Sequence, residues 1–301
     1  MDVPKKYFAI TLDPVHIGAG GYRLGFVDNT IVREPATDIP KIPGTSLAGV
    51  IRAFADLVKT EDDKIADTEK KFKNIIIETA FGDENKQGML RFYDGQIIFF
   101  PVSSIEGTVW ITTKELLEYW LGDMKDEQGK KITIPYEVQD KAYAVKGVNP
   151  EALKLGLNLG WLLLEIQNIT GGKEVVLPSE LENFLKRIVV VSDKLFSHLV
   201  NDNLEVRTSV KIDPKTGTAA EGALFTYEAI PRGTLLGFEI VIDTRRENVD
   251  DIETLIKATF PYLKLLGVGG LGTRGFGRIN MFGINENNAQ SSKGGKVNDK
   301  S

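Results

Sequence analysis

The chain has 301 residues, a hydrophobic fraction of 42%, a formal net charge of −5 and no cysteine. Without cysteine there can be no disulfide, thiolate zinc site or cysteine nucleophile, and only His16 and His198 offer imidazole chemistry. Any metal must therefore be bound mainly by oxygen ligands, which favours magnesium or manganese. The length allows one large domain with insertions or two small domains. The negative charge disfavours free nucleic-acid binding and demands either a focused basic surface or a partner that shares the load.

Residues 7–12 have the composition and alternation of a β-strand, which Asp13 and Pro14 end. The following segment, residues 15–35, is rich in glycine and carries isolated polar groups among apolar ones, which indicates a functional loop. His16 and Asp28 are its candidate catalytic residues. Spacing alone also fits a structural histidine at a strand end and an ordinary turn aspartate.

A helix is predicted after the proline–glycine turn at residues 43–44, with Ser46 suited to the N-cap. Its apolar stripe at helical spacing consists of Leu47, Val50, Ile51, Phe54, Leu57 and Val58. No carboxylate occurs between Asp38 and Asp56, so the N–H groups of the first turn form a candidate anion site. The side chains assigned to it are Lys41, Thr45, Ser46 and Arg52. The alternative is that Ser46 only caps the helix and Arg52 is solvated.

Residues 95–101 and 108–112 predict two strands of a core sheet, and residues 113–121 predict a short helix. The segment 122–150 is then polar, with tyrosines and lysines among small and apolar residues. Rings can stack on bases or wedge between them while lysines meet phosphates, so this segment is a candidate insertion for nucleic-acid contact. Its assigned residues are Tyr136, Lys141, Tyr143 and Lys146. A surface hairpin without a ligand is an equally good interpretation.

The second half has strand candidates at residues 162–167, 188–191, 204–212, 223–229 and 235–242, with a hairpin turn at residues 213–217. Glu228, at the end of one such strand, is the third candidate catalytic residue, although it could also be a ladder residue facing solvent. No apolar run reaches about 18 residues and the first residues lack an apolar signal core, so we expect a cytoplasmic protein with no membrane partner.

The segment 264–278 has glycine at almost every second position, and glycines can adopt positive φ and turn backbone N–H groups toward phosphate oxygens. The candidate contacts are Gly269, Gly270, Gly272, Arg274 and Arg278. An amphipathic helix precedes this loop and a strand, residues 278–282, follows it. That order is the reverse of a dinucleotide-binding fingerprint and places the loop at the last crossover of a ferredoxin-like βαββαβ unit. The alternative is a glycine-rich turn whose arginines face solvent.

Three features together resemble the RAMP superfamily of CRISPR proteins: the glycine-rich segment with His16 and Asp28, the Pro-Gly-Thr-Ser-Leu helix start, and the terminal glycine-rich loop. The sequence is most similar to the Cmr subunit four family of the type III-B effector complex, through Leu24-Gly-Phe-Val-Asp28-Asn-Thr-Ile-Val-Arg-Glu34. The likeness extends to about Phe282. One departure is that Ala48 stands where a lysine is often seen, which leaves Lys41 and Arg52 to contact the guide.

The resemblance implies an α+β protein with a ferredoxin-like, RRM-like RAMP core, an inserted thumb hairpin and a terminal glycine-rich loop. The implied palm comprises residues 1–121 and 151–282, and the implied thumb is the insertion at residues 122–150. Residues 283–301 are rich in Asn, Ser, Gly and Lys, and their composition predicts a disordered tail.

The resemblance also implies a function. Several copies would stack along one crRNA together with other Cmr or Cas subunits, and the thumb would wedge into the duplex of crRNA and single-stranded target RNA. Asp28 would lie beside the target phosphodiester as base or as ligand of Mg²⁺ or Mn²⁺, in a metal-dependent endoribonuclease that leaves a 2′,3′-cyclic phosphate and a 5′-hydroxyl.

Two other classes of function stay open. The first is a non-catalytic crRNA-binding scaffold, which Asp28 discriminates from the nuclease. The second is a nucleotide-binding metabolic enzyme that uses the glycine loop, which the reversed loop order and the lack of a second catalytic set disfavour.

Overall fold

The computed structural model describes residues 4–20, 27–64, 70–126, 128–135, 140–169, 175–212, 217–245 and 249–284. These residues form six α-helices and fifteen β-strands. The helices are α1 Gly44–Asp62, α2 Ile77–Phe81, α3 Lys114–Leu121, α4 Ser179–Glu182, α5 Asp193–Asp202 and α6 Val249–Leu265. The strands are β1 Lys5–Thr11, β2 Lys41–Ile42, β3 Leu90–Phe92, β4 Gly95–Ser104, β5 Gly107–Thr112, β6 Lys125–Asp126, β7 Lys141–Lys146, β8 Leu157–Leu159, β9 Leu162–Asn168, β10 Val175–Val176, β11 Ile188–Val190, β12 Glu205–Ile212, β13 Ala219–Ala229, β14 Leu235–Ile242 and β15 Ile279–Gly283.

The first half of the main sheet is antiparallel, with the strand order β15-β1-β14-β4. Helix α1 follows β1, and α6 joins β14 to β15. The two helices pack on each other, with the rings of Phe54 and Tyr262 stacked at 5.7 Å and the Tyr262 hydroxyl donating to Glu61 at 2.7 Å. Their apolar faces are buried against the sheet. After the end of β1, the chain passes through Pro14 into the loop that carries His16.

The second half of the sheet begins on the same strand, because β4 continues past β14 to pair with β5. From there the order runs through β11, β7 and β9 to β8. Alternate residues of β1 belong to different clusters of buried side chains, Tyr7 to one and Phe8 to the other, so both faces of the sheet are covered. The molecule is thus an α+β protein built on one large, mostly antiparallel sheet.

The predicted core strands and the helices at residues 113–121 and before the glycine loop are confirmed. Helix α1 begins earlier than predicted: its N-cap is Pro43, no side chain caps it, and Ser46 lies inside the first turn. The predicted N-cap role of Ser46 is therefore wrong. Leu57 is 45% exposed and does not belong to the buried stripe of α1.

Part of the predicted insertion at residues 122–150 belongs to the sheet. Strand β7 lies between β11 and β9, and its residues Ala142, Tyr143, Ala144 and Val145 are buried. The residues before it carry β6, which pairs with β10 rather than with the main sheet. Tyr136 lies outside the described residues. A wedge that includes β7 would have to leave the core, and the bounds of the thumb stay a prediction.

A separate two-stranded antiparallel sheet is formed by β12 and β13, which we call the β12–β13 hairpin. The predicted turn at its end, residues 213–217, lies outside the described residues except for Gly217. Of the predicted disordered tail, residues 285–301 also lie outside them. No helix in the described part of the chain is both long enough and apolar enough to cross a membrane.

Candidate functional site

Two parts of the glycine-rich segment after β1, residues 15–20 and 27–33, lie side by side and contact residues 226–230 at the end of strand β13. Isolated bridges join Gly18 to Ile31 and Val15 to Ile230, while Asn29 bridges Tyr227 in parallel. The N–H of Asn29 donates to the carbonyl of Thr226 at 3.0 Å. The segment with Asp28 therefore lies alongside β13, and the position of Asp28 depends on that strand.

The carboxylate of Asp28 is held by a single residue of β13. Its Oδ2 accepts hydrogen bonds from the backbone N–H and the hydroxyl of Thr226, each at 2.8 Å. These two donors lower the pKa of Asp28 below its ordinary value of 3.8, because they stabilise the ionised form. The side chain is exposed, and both hydrogen bonds from Thr226 go to Oδ2. The site therefore presents an ionised, oriented carboxylate to solvent.

Glu228 fixes the rest of the same loop. Its Oε2 accepts from the N–H of Ile31 at 3.1 Å, and its Oε1 pairs with Arg33 at 2.5 Å. Both side chains of this ion pair are 11% exposed. The sequence suggested a catalytic residue or a solvent-facing ladder residue, and the second alternative is wrong because Glu228 is buried.

His16 lies beneath the loop, 7% exposed. Its Nδ1 is 2.7 Å from the carbonyl oxygen of Glu228, which can only accept, so Nδ1 donates the proton of this hydrogen bond. The ring meets Tyr227 edge-on, with centroids 5.7 Å apart. A Cβ at Gly18 would lie 3.2 Å from Nε2, so glycine at position 18 keeps this nitrogen from being crowded.

The glycine-rich loop closes the site from the other side. The N–H of Gly270 donates to the carbonyl of His16 at 3.0 Å, and a Cβ at Gly269 would come within 2.5 Å of that oxygen. Because Gly269 also has a φ of +82°, no other residue fits this contact without strain. Arg274 donates to the hydroxyl of Tyr227 at 3.0 Å. The structure thus brings His16, Asp28, Glu228 and the glycine loop together around residues 226–228.

The prediction that successive N–H groups of the glycine loop face outward needs correction. Those of Gly267 and Val268 donate to carbonyls at either end of the loop, and that of Gly277 donates to Pro14. Because the N–H of Gly270 is also bonded to the carbonyl of His16, the loop mainly packs against the rest of the protein. The backbone at Gly269, Gly270 and Gly272 is nonetheless exposed.

The two arginines of the loop differ in their partners. Arg278 forms a two-point ion pair with Asp13, at 2.5 and 3.2 Å, and this hydrogen-bonded guanidinium lowers the pKa of Asp13. The charge of Arg278 is therefore largely compensated. Arg274 is exposed and contacts only the neutral Tyr227 among the described residues, so its charge is available to an anion.

The predicted anion site at the start of α1 is occupied by a carboxylate of the protein. Asp94 accepts from the N–H of Gly44 at 2.8 Å and pairs with Lys41 at 2.6 Å. Lys41 also pairs with Glu34 at 2.8 Å, and these partners raise the pKa of Lys41. Residues 39–55 contain no carboxylate in the sequence, but Asp94, which directly precedes β4, places one at the start of α1 in the folded protein. Thr45 is exposed, Ser46 is half-buried, and Arg52 donates to the carbonyl of Gly82.

Of the residues assigned to the insertion, the three that the structure describes pack or pair within the protein. Tyr143 is 8% exposed and packs in the core, so its ring cannot stack on a base. Lys146, with its side chain 9% exposed, pairs with Glu182, and Lys141 pairs with Glu165 at 2.9 Å. These contacts are those of a sheet strand.

An exposed apolar surface occurs instead on the β12–β13 hairpin. Val206, Val210, Leu224 and Phe225 are between 41% and 62% exposed. Val210 lies opposite Leu224, and Thr208 lies opposite Thr226, so the side chains of Leu224 and Thr226 share one face. The apolar part of this face begins two residues, or about 7 Å, from the residue that holds Asp28.

The donor set offers little to a metal on its own. No group of three or more His, Asp or Glu residues in the described part of the chain could hold a metal ion. Magnesium, however, is often bound by one or two carboxylates and completed by substrate phosphates and water. Asp28, whose exposed carboxylate receives both Thr226 hydrogen bonds on Oδ2, meets only this minimal requirement.

Sequence reasoning missed Thr226, Tyr227 and Arg33. Their strand and loop were predicted, and Glu228 was selected beside them. Nothing in the sequence, however, pairs residue 28 with residue 226, which is 198 positions away. Arg33 lies in the stretch of residues 24–34 that carries the family resemblance, but nothing in the sequence indicates its partner.

A model of the RAMP superfamily matches residues 9–280. The CRISPR system Cmr endoribonuclease Cmr4 of Pyrococcus furiosus is 29% identical over 297 residues, which cover 94% of this chain and 97% of that protein. A crystal structure of Cmr4 superposes with a TM-score of 0.61 at 25% identity, covering 94% of this chain and 100% of that one. A type III-B Cmr-beta structure bound to cognate target RNA reaches a TM-score of 0.67 at 19% identity, covering 93% and 96% of the two chains.

Proposed function

Because the chain belongs to the RAMP superfamily, we propose that it is a backbone subunit of a type III-B effector complex that binds crRNA in several copies and cleaves complementary target RNA. Its partners would be crRNA, single-stranded target RNA, further copies of itself and other Cmr or Cas subunits. The likeness to Cmr4 over nearly the full length of both chains supports this role. The observation that carries the catalytic part is the exposed carboxylate of Asp28, oriented by Thr226.

We infer the core to be the ferredoxin-like palm. The order β15-β1-β14-β4, all antiparallel, with α1 after β1 and α6 before β15, is that of a βαββαβ unit. The His16 and Asp28 segments then follow the first strand, and the glycine loop follows the last helix. This topology explains why elements from both ends of the sequence meet at one edge of the palm.

The wedge, in this proposal, is the β12–β13 hairpin and not residues 122–150. It is separate from the main sheet, and the apolar side chains of Val210 and Leu224 are exposed on the face that leads to Thr226. Apolar side chains inserted between bases unstack them, as the rings in a wedge would. A nucleotide displaced there would bring its phosphodiester toward Asp28.

In the cleavage step the 2′-oxygen attacks the adjacent phosphorus, loses its proton, and the 5′-oxygen leaves with a proton. The products are a 2′,3′-cyclic phosphate and a 5′-hydroxyl. A displaced nucleotide can align the 2′-oxygen with the leaving group, which an A-form duplex prevents. Arg274, whose charge no described carboxylate compensates, lies across Tyr227 from His16 and would attract the phosphate.

Asp28 is better suited to hold a cation than to accept a proton. A general base works best when its pKa is near the operating pH, whereas Thr226 lowers the pKa of Asp28. Asp28 would therefore hold Mg²⁺ or Mn²⁺ together with RNA phosphate and water, and the ion would supply charge against the developing phosphorane. His16 and Glu228 would be positioning residues, since both are buried and both support the loop.

The alternative is a non-catalytic scaffold with the same RNA partners. Cleavage of a target RNA complementary to a bound guide, compared between the wild type and Asp28→Asn, separates the two. The scaffold would bind guide and target and leave the target intact in both proteins.

A further inference from the structure

The side chain of Tyr227 is held in place on strand β13 beside the Asp28 site. Its neighbour across the β12–β13 hairpin is Arg207, and the ring of His16 meets it edge-on with centroids 5.7 Å apart. On a third side, Arg274 Nη1 of the glycine loop donates to the phenolic oxygen at 3.0 Å, and the guanidinium carbon is 5.7 Å from the ring centroid. Contacts from three parts of the chain therefore fix the position of the hydroxyl.

The direction of the hydrogen bond between Arg274 and Tyr227 decides what the hydroxyl can offer to a ligand. A guanidinium has only donors, whereas a phenol has one donor and also accepts. Tyr227 must therefore be the acceptor in this bond, and its own O–H is left to donate elsewhere. The described part of the chain holds no acceptor for that proton. Two donors, one cationic and one neutral, thus lie next to each other at the surface.

The face of β13 that carries this donor pair is cationic. Successive side chains of a strand point to opposite faces, so the carboxylate of Glu228 lies on the other face from Tyr227. Arg207, directly opposite Tyr227, lies on the same face and pairs with Glu205 at 2.5 Å. Arg274 has no carboxylate partner among the described residues. A ligand of this pair should therefore be an anion whose oxygens only accept hydrogen bonds.

We propose that Tyr227 is a phosphate-binding residue, and that its hydroxyl and the guanidinium of Arg274 together bind one phosphate group of the RNA strand that passes Asp28. This inference rests on the proposed function, because that function brings an RNA backbone to this face. Tyr227 directly follows Thr226, which holds Asp28. A phosphate bound by Tyr227 would therefore fix the position of the RNA relative to the Asp28 carboxylate, which makes Tyr227 a positioning residue for cleavage.

Tyr227→Phe removes the hydroxyl and keeps the ring. In fluorescence anisotropy with the full chain, a fluorescein-labelled oligouridine should bind this variant about tenfold more weakly, because a hydrogen bond to a charged acceptor is lost. The slope of log K against log salt should not change, since a phenol carries no charge. Arg274→Ala, in contrast, should reduce that slope by about 0.7. Weaker binding at an unchanged slope is therefore the signature expected of Tyr227.

The two donors should not contribute independently. The double variant Arg274→Ala, Tyr227→Phe should lose less affinity than the product of the two separate losses, because the hydroxyl is no longer oriented once Arg274 is removed. The matched control is Tyr93→Phe, which removes the hydroxyl of an exposed tyrosine between β3 and β4. Its affinity should stay within about twofold of the wild type. Circular dichroism melting curves check that the variants fold.

The second probe is an oligomer of the same length built from abasic phosphate spacers. Tyr227→Phe should weaken its binding by the same factor, because the proposed contact is to phosphate. A loss confined to the oligouridine would show that the hydroxyl binds a base, and the proposal would be wrong. Wild-type affinity of Tyr227→Phe for both probes would overturn this inference alone. If the wild type binds neither probe saturably below about 1 mM, the proposed RNA role fails together with it.

Discussion

Thr226 donates two hydrogen bonds, one from its backbone and one from its hydroxyl, to the same carboxylate oxygen of Asp28. The two residues are 198 positions apart, and Thr226 Oγ1 in turn accepts from the N–H of Asp28 at 2.9 Å. This closed arrangement orients an exposed carboxylate without burying it. The activity of the site should therefore depend on a threonine that makes no contact with RNA in the proposed mechanism.

Thr226→Val removes the hydroxyl and keeps the shape and the backbone donor. A hydrogen bond to a charged group contributes about 1.5 to 3 kcal/mol, part of which the backbone bond retains, so target cleavage should fall by roughly tenfold. Guide and target affinities should not change. Thr108→Val, at an exposed position of β5 with no side-chain hydrogen bond shown, is the matched control and should cleave at the wild-type rate.

The same variant carries a titration signature. Donors to the ionised form lower the pKa, so removing one must raise it toward the ordinary value of 3.8. Carbon-detected NMR of the Asp28 carboxyl should give a lower midpoint in the wild type than in Thr226→Val. A midpoint that does not move would show that the hydroxyl is not bonded to Asp28 in solution.

Glu228 should behave as a positioning residue. Glu228→Ala breaks the ion pair with Arg33, in which both side chains are 11% exposed, and removes the acceptor of Ile31 N–H, while Arg33 keeps its contacts with Asp38 and Asn201. We expect a loss of about 3 kcal/mol in the free energy of unfolding, measured by urea denaturation. Glu205→Ala, which breaks the exposed pair with Arg207, should cost less than about 1 kcal/mol.

The stability measurement separates the two roles proposed for Glu228. A catalytic residue would lose cleavage with little change in stability. If Glu228→Ala unfolds at the wild-type urea concentration and yet cleaves as poorly as Asp28→Asn, the positioning role is wrong.

Arg274 and Arg278 should contribute unequally to RNA binding. Arg274 has no carboxylate partner among the described residues, whereas Arg278 is paired with Asp13. Each released phosphate contact on single-stranded RNA changes the slope of log K against log salt by about 0.7, so Arg274→Ala should reduce the slope by that amount. Arg278→Ala should reduce it by less. Equal slopes in the two variants would contradict this distinction.

The wedge prediction concerns the β12–β13 hairpin. Changing Val210 and Leu224 together to serine removes exposed apolar side chains, so the fold should be little affected. Guide binding should persist while the regularly spaced cleavage ladder is lost, as read on a denaturing gel. The control is Leu155→Ser with Leu163→Ser, which removes two exposed leucines, one just before β8 and one on β9, in the second half of the main sheet. An intact ladder in the hairpin variant would show that the wedge lies elsewhere.

The sequence was sufficient for features that depend on neighbouring residues. The helix before the glycine loop and the strands of the main sheet were predicted from local periodicity and composition, whereas the catalytic roles of His16 and Asp28 stay predictions. The partner of Asp28 could not be predicted, because the bond to Thr226 depends on how distant strands pair. The hydrogen bond from the N–H of Gly44 to Asp94 could not be predicted for the same reason, because these residues are 50 positions apart.

Two elements that were not predicted, β7 and α5, had a signal in the sequence. Residues 141–146 were assigned to an insertion on the basis of their lysines and tyrosine, although Ala142 to Val145 form an uninterrupted apolar run, which is typical of a buried strand. Helix α5 was not predicted, although Ser192 precedes Leu195, Phe196, Leu199 and Val200 at helical spacing and caps the helix at Leu195.

The central claim is that the carboxylate of Asp28 drives cleavage, and Asp28→Asn tests it most directly. Asparagine keeps the size of the side chain and an oxygen for Thr226, but it removes the charge. Target cleavage by guide-loaded protein should fall by about a hundredfold or more, while guide and target affinities stay within a few fold. His16→Ala should fall less, and EDTA should stop the wild type if the ion is required. Asp56→Asn, an exposed aspartate on α1, is the control. Cleavage by Asp28→Asn at the wild-type rate would contradict the account and leave the protein as an RNA-binding scaffold.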